Sequence, residues 1–279
     1  MLNLEPFFEA LPEAHLSLIL LTLYHAWDIG FYTNNSNEIV LIISFATSVV
    51  SSAFGIAKFL LKGPLKIHRP NGFLSGYGQP SFILSFFIIL AFLVSKAFWL
   101  YWLLPEAHLN NTLVKCISIW IGCSILPQFL LALILLVYHF GILNTLKLAI
   151  RWPAILLTPT FSPFMFSQDV KDGSKVLVLS KKWTIINLFL TLVGIMIGYF
   201  ICYFHVLTYS ESTMKQISKL IVQRPYMDGL YYITISISIM MVSLFLTIGL
   251  LYIKWFKLQR KCMDPKNLDK PILNSIVFV

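Results

Sequence analysis

The sequence predicts an all-α fold: a polytopic transmembrane helical bundle of about six spanning helices, with one additional proline-rich segment that is re-entrant or interfacial. Three observations predict it. Of 279 residues, 58% are hydrophobic and only 12% charged, with a mean hydropathy of +0.79, which leaves too little polar surface to cover a soluble domain of this size. Apolar runs long enough for a bilayer recur along the whole chain. Lysine and arginine collect in alternate connections between those runs.

A bilayer core needs roughly 20 apolar residues per helix. Residues 11–33, 36–62, 80–104, 113–140, 183–205 and 230–255 meet that length, each rich in Leu, Ile, Phe and Val on every face. Pro127-Gln128 predicts a kink in the fourth run, because proline withholds a backbone donor. The stretch from Ile150 to Phe166 is apolar but carries Pro153, Pro159 and Pro163. It cannot form one unbroken spanning helix, so its backbone must be shielded by other helices. Trp99, Tyr101, Trp102, Trp183 and Trp255 lie near the ends of the runs, where an aromatic belt is expected. No linker or low-complexity tract divides the chain, so residues 1–257 read as one membrane domain and 258–279 as a cytosolic basic tail. Glu5, Glu9 and Glu13 occupy the place of a positive n-region, and the first spanning helix is expected to serve as the insertion signal.

Orientation follows from charge. The 58–79 connection carries Lys58, Lys62, Lys66 and Arg69, residues 141–182 carry six cations, and the chain from Lys254 onward carries six more. The alternate connections hold Lys115, Lys215, Lys219 and Arg224. The positive-inside rule puts the first set, and both termini, in the cytosol. The sequons at Asn34 and Asn110 then fall on the outer side and are candidate glycosylation sites.

Several classes of function are disfavoured. The net charge of +9 is spread between apolar runs and forms no Arg-rich helix or finger, so a nucleic-acid partner is not expected. Cys116, Cys123, Cys202 and Cys262 have no zinc or disulfide spacing. There is no G-x-S-x-G, Walker loop, HExxH or Asp-rich magnesium pair. The expectation is a protein that is not an enzyme, with no catalytic residue, cofactor or metal.

The informative residues are charges inside apolar runs, each costing about 2.5–3.5 kcal/mol on insertion scales. At about 100° per residue, Glu9, Glu13, Ser17, Tyr24 and Asp28 fall within about 100° of one another on the first helix. That stripe either lines a hydrated polar path or packs as a structural seam. Lys96, roughly 12 Å below the outer end of the third run, either pairs with Asp28 or snorkels to the surface. Lys254, Lys257, Arg260 and Lys261 form a juxtamembrane basic cluster, read either as topological retention or as a lipid-headgroup site. Asp169 to Gly173 has the D-x-x-D-G form of a caspase site and equally the form of an ordinary turn.

The order of motifs resembles the XK-related family. "FFEALPEAHLSLILLTLYHAW" is similar to that family's F-x-E-x-x-P-Q-L-x-L-Q-x-Y segment, and "FATSVVSSAFGIAKFLLKGPLKIHRP" to the Ser-rich helix that follows it. "SFFIILAFLVSKAFWLYWL" resembles a long apolar helix with a Ser-Arg step, matched here by Ser95-Lys96. "FMFSQDVKDGSKVLVLSKKWTIINLFL" resembles a charged turn leading into a basic helix start. The likeness spans nearly the whole chain and corresponds to the family's C-terminal half or slightly more. Glu13 departs from the family's Gln, and Lys96 from its Arg. What the resemblance implies is movement of membrane phospholipids between leaflets, in some members during apoptosis, or partnership with a transporter or lipid-transfer protein. It also implies that Glu9, Glu13 and Lys96 belong to a polar interior. The expected location is integral in the plasma membrane.

Overall fold

The computed structural model describes residues 35–62, 78–101, 113–151, 153–171, 174–217 and 225–262. The described helices are α1 (Asn35–Lys62), α2 (Gly78–Tyr101), α3 (Leu113–Ser124), α4 (Leu126–Phe140), α5 (Ile142–Arg151), α6 (Pro153–Phe161), α7 (Lys181–Ile217) and α8 (Pro225–Cys262); strands β1 (Phe166–Lys171) and β2 (Ser174–Leu179) lie between α6 and α7. Among the described residues, five helical stretches are long and apolar enough to cross a membrane: Ile39–Leu60, Phe82–Trp99, Val114–Phe140, Lys181–Ile201 and Ile233–Leu250. These correspond to the second through sixth apolar runs. The first run, 11–33, lies outside the described residues.

The outer surface is apolar, unlike that of a soluble bundle, and polar side chains share the interior with the apolar ones. Phe54, Phe87, Ile134, Phe200 and Phe245 are exposed, whereas Ser52, Ser95, Gln128, Thr158, Asn187, Thr191, Ser243 and Thr247 are buried. Lipid is the solvent that favours this arrangement. Small and hydroxylated residues at helix contacts let backbones approach, and their hydroxyls bond locally. Ser243 Oγ donates to the Ile88 carbonyl at 3.3 Å across the α2/α8 seam, and Ser52 Oγ donates within α1 to the Ser48 carbonyl.

Two apolar cores flank α2. One joins Ile56 and Leu60 of α1, Ile88 and Ile89 of α2, Phe140 of α4, Ile155 of α6 and Phe164. The other joins Phe92 and Trp99 of α2, Trp120 of α3, Ile195 of α7 and Met240 of α8. Trp99, placed by its sequence position in an aromatic belt, is instead fully buried. Its indole fills the space left by Gly198, where an added Cβ would stand 2.6 Å from the ring.

The fourth span breaks at Ile125, between α3 and α4, two residues before Pro127. Ile125 N–H still donates to Ile121 at 3.0 Å and Phe129 N–H to Ile125 at 3.1 Å. Pro127 has no N–H, so it cannot serve the Cys123 carbonyl one turn earlier. That carbonyl turns toward α7 at Gly194, where a Cβ would lie far inside contact distance. Gly194 and Gly198 thus form a small-xxx-small seam against the kink. This motif was not picked out among the sequence features, although "GIMIG" is visible in α7.

Gly141, at φ 79° and ψ 163°, ends α4. Almost only glycine adopts this backbone region. The β1/β2 hairpin is antiparallel, with Phe166 opposite Leu179 and Lys171 opposite Ser174. Ser180 N–H donates to the Met165 carbonyl at 2.9 Å and Met165 N–H to Thr184 Oγ at 3.1 Å, tying the hairpin to α7. Residues 169–171 of the D-x-x-D-G sequence are therefore strand, which the sequence reading did not anticipate. At the other end of the chain, α8 continues to Cys262, past residue 257, where the tail was expected to begin.

Candidate functional site

The last turn of any helix leaves carbonyls without an intrahelical donor. In α6 that problem arises inside the protein, because Thr158, Thr160 and Ser162 are all buried and Pro163 cannot extend the helix. The structure resolves it with side chains from two neighbouring helices. Lys96 Nζ of α2 donates to the Thr160 carbonyl at 2.5 Å. Asn187 Nδ2 of α7 donates to the Pro159 carbonyl at 2.9 Å and lies 3.2 Å from the carbonyls of Ser162 and Pro163. Ser162 supplies both its N–H and its hydroxyl to Thr158, each at 2.8 Å.

Lys96 is only 3% exposed, and its ammonium stands 4.8 Å above the Phe92 ring. Its described partners are therefore a carbonyl and an aromatic face, both neutral. The C-terminal end of a helix carries partial negative charge, so the α6 dipole and the ring quadrupole together favour a cation here. The backbone is held as well, since Trp120 Nε1 donates to the Lys96 carbonyl at 3.1 Å. This geometry replaces the snorkelling alternative for Lys96. Asp28, its other expected partner, lies outside the described residues.

Helix rise places the tip of α6 in the membrane. If successive spans alternate in direction, α2 and α7 both start from the side on which α4 ends. Lys96 lies 14 residues beyond Phe82, about 21 Å along α2, and Asn187 lies six beyond Lys181, about 9 Å along α7. Two side chains from those heights grip adjacent carbonyls, so the tip lies well within a hydrocarbon core of about 30 Å. The proline-rich segment is thus a short buried helix ending at membrane depth, with its irregular backbone covered by protein as expected.

The polar centre continues into the kink. The Gln128 amide lies 3.1 Å from Thr191 Oγ, which donates to the Asn187 carbonyl at 2.8 Å. With its nitrogen turned toward α3, the same amide reaches the Ser124 carbonyl at 2.6 Å and the Ile125 carbonyl at 3.1 Å. Thr160 Oγ, Asn187 Oδ1, Ser124 Oγ and Trp99 Nε1 are buried with no hydrogen-bond partner among the described residues. What this arrangement offers chemically is a fixed lysine amine, amide donors and unused acceptors within an apolar shell. It contains no nucleophile–base pair, and no group of metal-ligating side chains occurs among the described residues.

Of the candidate site residues read from sequence, the structure brings Lys96 into this centre; Gln128, read only as part of the Pro127 kink, joins it. Glu9, Glu13, Ser17, Tyr24, Asp28, Asn34 and Asn110 lie outside the described residues. Lys254, Lys257, Arg260 and Lys261 belong to the last turns of α8, so the basic cluster is helical and continuous with a span. Sequence reading missed Asn187, Thr160 and Thr191. An amide in the run "WTIINLFLTL" was the available signal. Comparison with known protein families, characterised proteins and solved structures finds no match to this chain.

Proposed function

We propose that this chain is an XK-related-type membrane protein that moves, or assists the movement of, phospholipids between bilayer leaflets. The observation that supports the reading is the Lys96 ammonium held at hydrocarbon depth on the α6 carbonyls. A headgroup crossing a bilayer must exchange water for other polar partners, and a pre-formed polar centre lowers that cost without a cofactor or covalent step. Lys96 would meet the lipid phosphate, while the exposed apolar faces of the spans leave the acyl chains in lipid. In this reading the protein is in the plasma membrane with both termini cytosolic.

The test is reconstitution into liposomes containing a fluorescent phospholipid, followed by chemical bleaching from outside. Bleaching beyond the outer-leaflet fraction, reduced by Lys96→Gln, supports transport; a plateau equal to that of protein-free vesicles rejects it.

The β1/β2 hairpin favours a second reading. It places paired strands in the connection between α6 and α7, and a strand edge can accept an extended peptide. On this reading the protein is a non-transporting scaffold that docks a lipid-transfer or transporter partner. Co-purification of one partner with the intact chain, lost on mutating the 58–69 loop or the hairpin, would establish it.

A further inference from the structure

Helix α5 has a face that none of the foregoing uses. Ile142, Leu143, Leu146 and Ile150 are 76%, 66%, 56% and 76% exposed, and at about 100° per residue they fall within one arc of about 100°. Thr145, about 60° outside that arc, is buried, and α5 packs on α4 and α6. Lys147, also exposed, borders the apolar arc about 40° beyond Leu143. An aliphatic face edged by a cation is the pattern of a helix lying in the membrane–water boundary.

Position along the chain agrees. The preceding span, Val114–Phe140, has 27 residues and a contour of about 40 Å, longer than a hydrocarbon core of about 30 Å. The residues after Gly141 are therefore at the boundary. Tyr138, 81% exposed in the last turn of α4, is an aromatic of the type that marks that level. On the same side, where α7 begins, Lys182 stacks 5.6 Å above the Trp183 ring. The 141–182 connection contains six Lys or Arg residues against Asp169 and Asp172 alone. That charge complements an anionic leaflet and repels a basic partner.

We propose that α5 is an interfacial helix seated in the leaflet at the C-terminal end of α4, and that Lys147 recognises the headgroups of anionic phospholipids there. The occupant of the aliphatic face is lipid. Because α5 leads directly into α6, the helix bound by Lys96 and Asn187, the composition of this leaflet bears on the placement of the polar centre. The inference does not depend on lipid crossing the bilayer: it concerns contact at one surface, whereas the liposome assay measures flux.

The experiment places a bimane probe on Leu146→Cys in the full-length chain, with Cys116, Cys123, Cys202 and Cys262 replaced by Ala, in nanodiscs of phosphatidylcholine and phosphatidylserine. Quenching by doxyl-labelled phosphatidylserine and phosphatidylcholine is compared, with a probe on Phe245→Cys as the lipid-facing standard. The expected result is quenching by both lipids and local enrichment of the serine lipid. Lys147→Gln is expected to lower that enrichment about fivefold, and Lys147→Arg to preserve it. Equal quenching by the two lipids in the parent chain overturns the headgroup assignment. Absence of quenching at Leu146 with normal quenching at Phe245, the result for a face covered by protein or facing water, overturns the proposal entirely.

Discussion

Lys96 Nζ bonds the carbonyl of Thr160 across 2.5 Å, so a cation on one spanning helix caps the C-terminus of another helix that stops inside the bilayer. Each half of the pair answers a problem in the other. The carbonyl needs a donor where water is scarce, and the ammonium needs negative potential where no carboxylate is in described contact. Removing the donor while leaving the carbonyl buried costs about 1–3 kcal/mol. Lys96→Met is therefore expected to lower the thermal unfolding temperature in detergent, and Lys96→Arg to lower it less. A Lys96→Met protein as stable as the parent would show that the cap contributes nothing.

Asn187 serves the same tip from α7. Asn187→Leu removes the donor shared by the carbonyls of Pro159, Ser162 and Pro163, with an expected loss of about 1–3 kcal/mol. Asn187→Asp adds a negative charge facing carbonyl oxygens and should be worse. Since Lys96 and Asn187 hold one structural element, the double variant Lys96→Met/Asn187→Leu is expected to lose less than the sum of the singles. Strict additivity in equilibrium unfolding would mean that the two bonds act separately.

The Gly194/Gly198 seam makes a graded prediction. Gly194→Ala drives a methyl group into the Cys123 backbone carbonyl, which can yield only if the kink moves. Gly198→Ala meets the Trp99 ring at 2.6 Å and Cys123 Cβ at 3.3 Å, so the buried indole must move but no backbone carbonyl is struck. Overpacking costs about 1–3 kcal/mol, and Gly194→Ala should lie at the upper end. Gly249→Ala, with open space around it, should be neutral. Size-exclusion recovery after heating ranks the three variants, and a Gly194→Ala protein matching Gly249→Ala would disprove the close approach.

Gly141 connects the last span before the polar centre to the interfacial helix. Its φ of 79° with ψ of 163° lies in a region nearly closed to side chains, at a cost of about 1–3 kcal/mol for a non-glycine residue. Gly141→Ala is expected to destabilise by that amount, and Gly141→Asn, which relieves only the ordinary left-handed region, should not rescue it. The comparison is read from thermal unfolding; an unchanged midpoint for both variants would show that the turn relaxes freely.

Much of the architecture was legible in the residues. Hydropathy over about 20 positions is a local sum, and the bilayer responds to that sum, so the described spans follow the apolar runs closely. Pro127 announced its kink and Pro153, Pro159 and Pro163 their broken segment, because a missing N–H acts on the backbone one turn away. The hairpin escaped notice since six-residue strands inside a charged connection carry little periodic signal. Trp99 was misplaced for a related reason: proximity to a helix end does not say which way an indole points.

By itself the sequence determined the solvent, the approximate spans and the connections in which cations gather, all of which depend on composition within a single segment. Tertiary structure alone decided that Lys96 faces Thr160, 64 residues away, and that Gly194 receives the carbonyl Pro127 leaves free. A buried polar group must be matched by a specific partner at hydrogen-bond distance. That partner's identity depends on how separate helices pack, which no local sum contains.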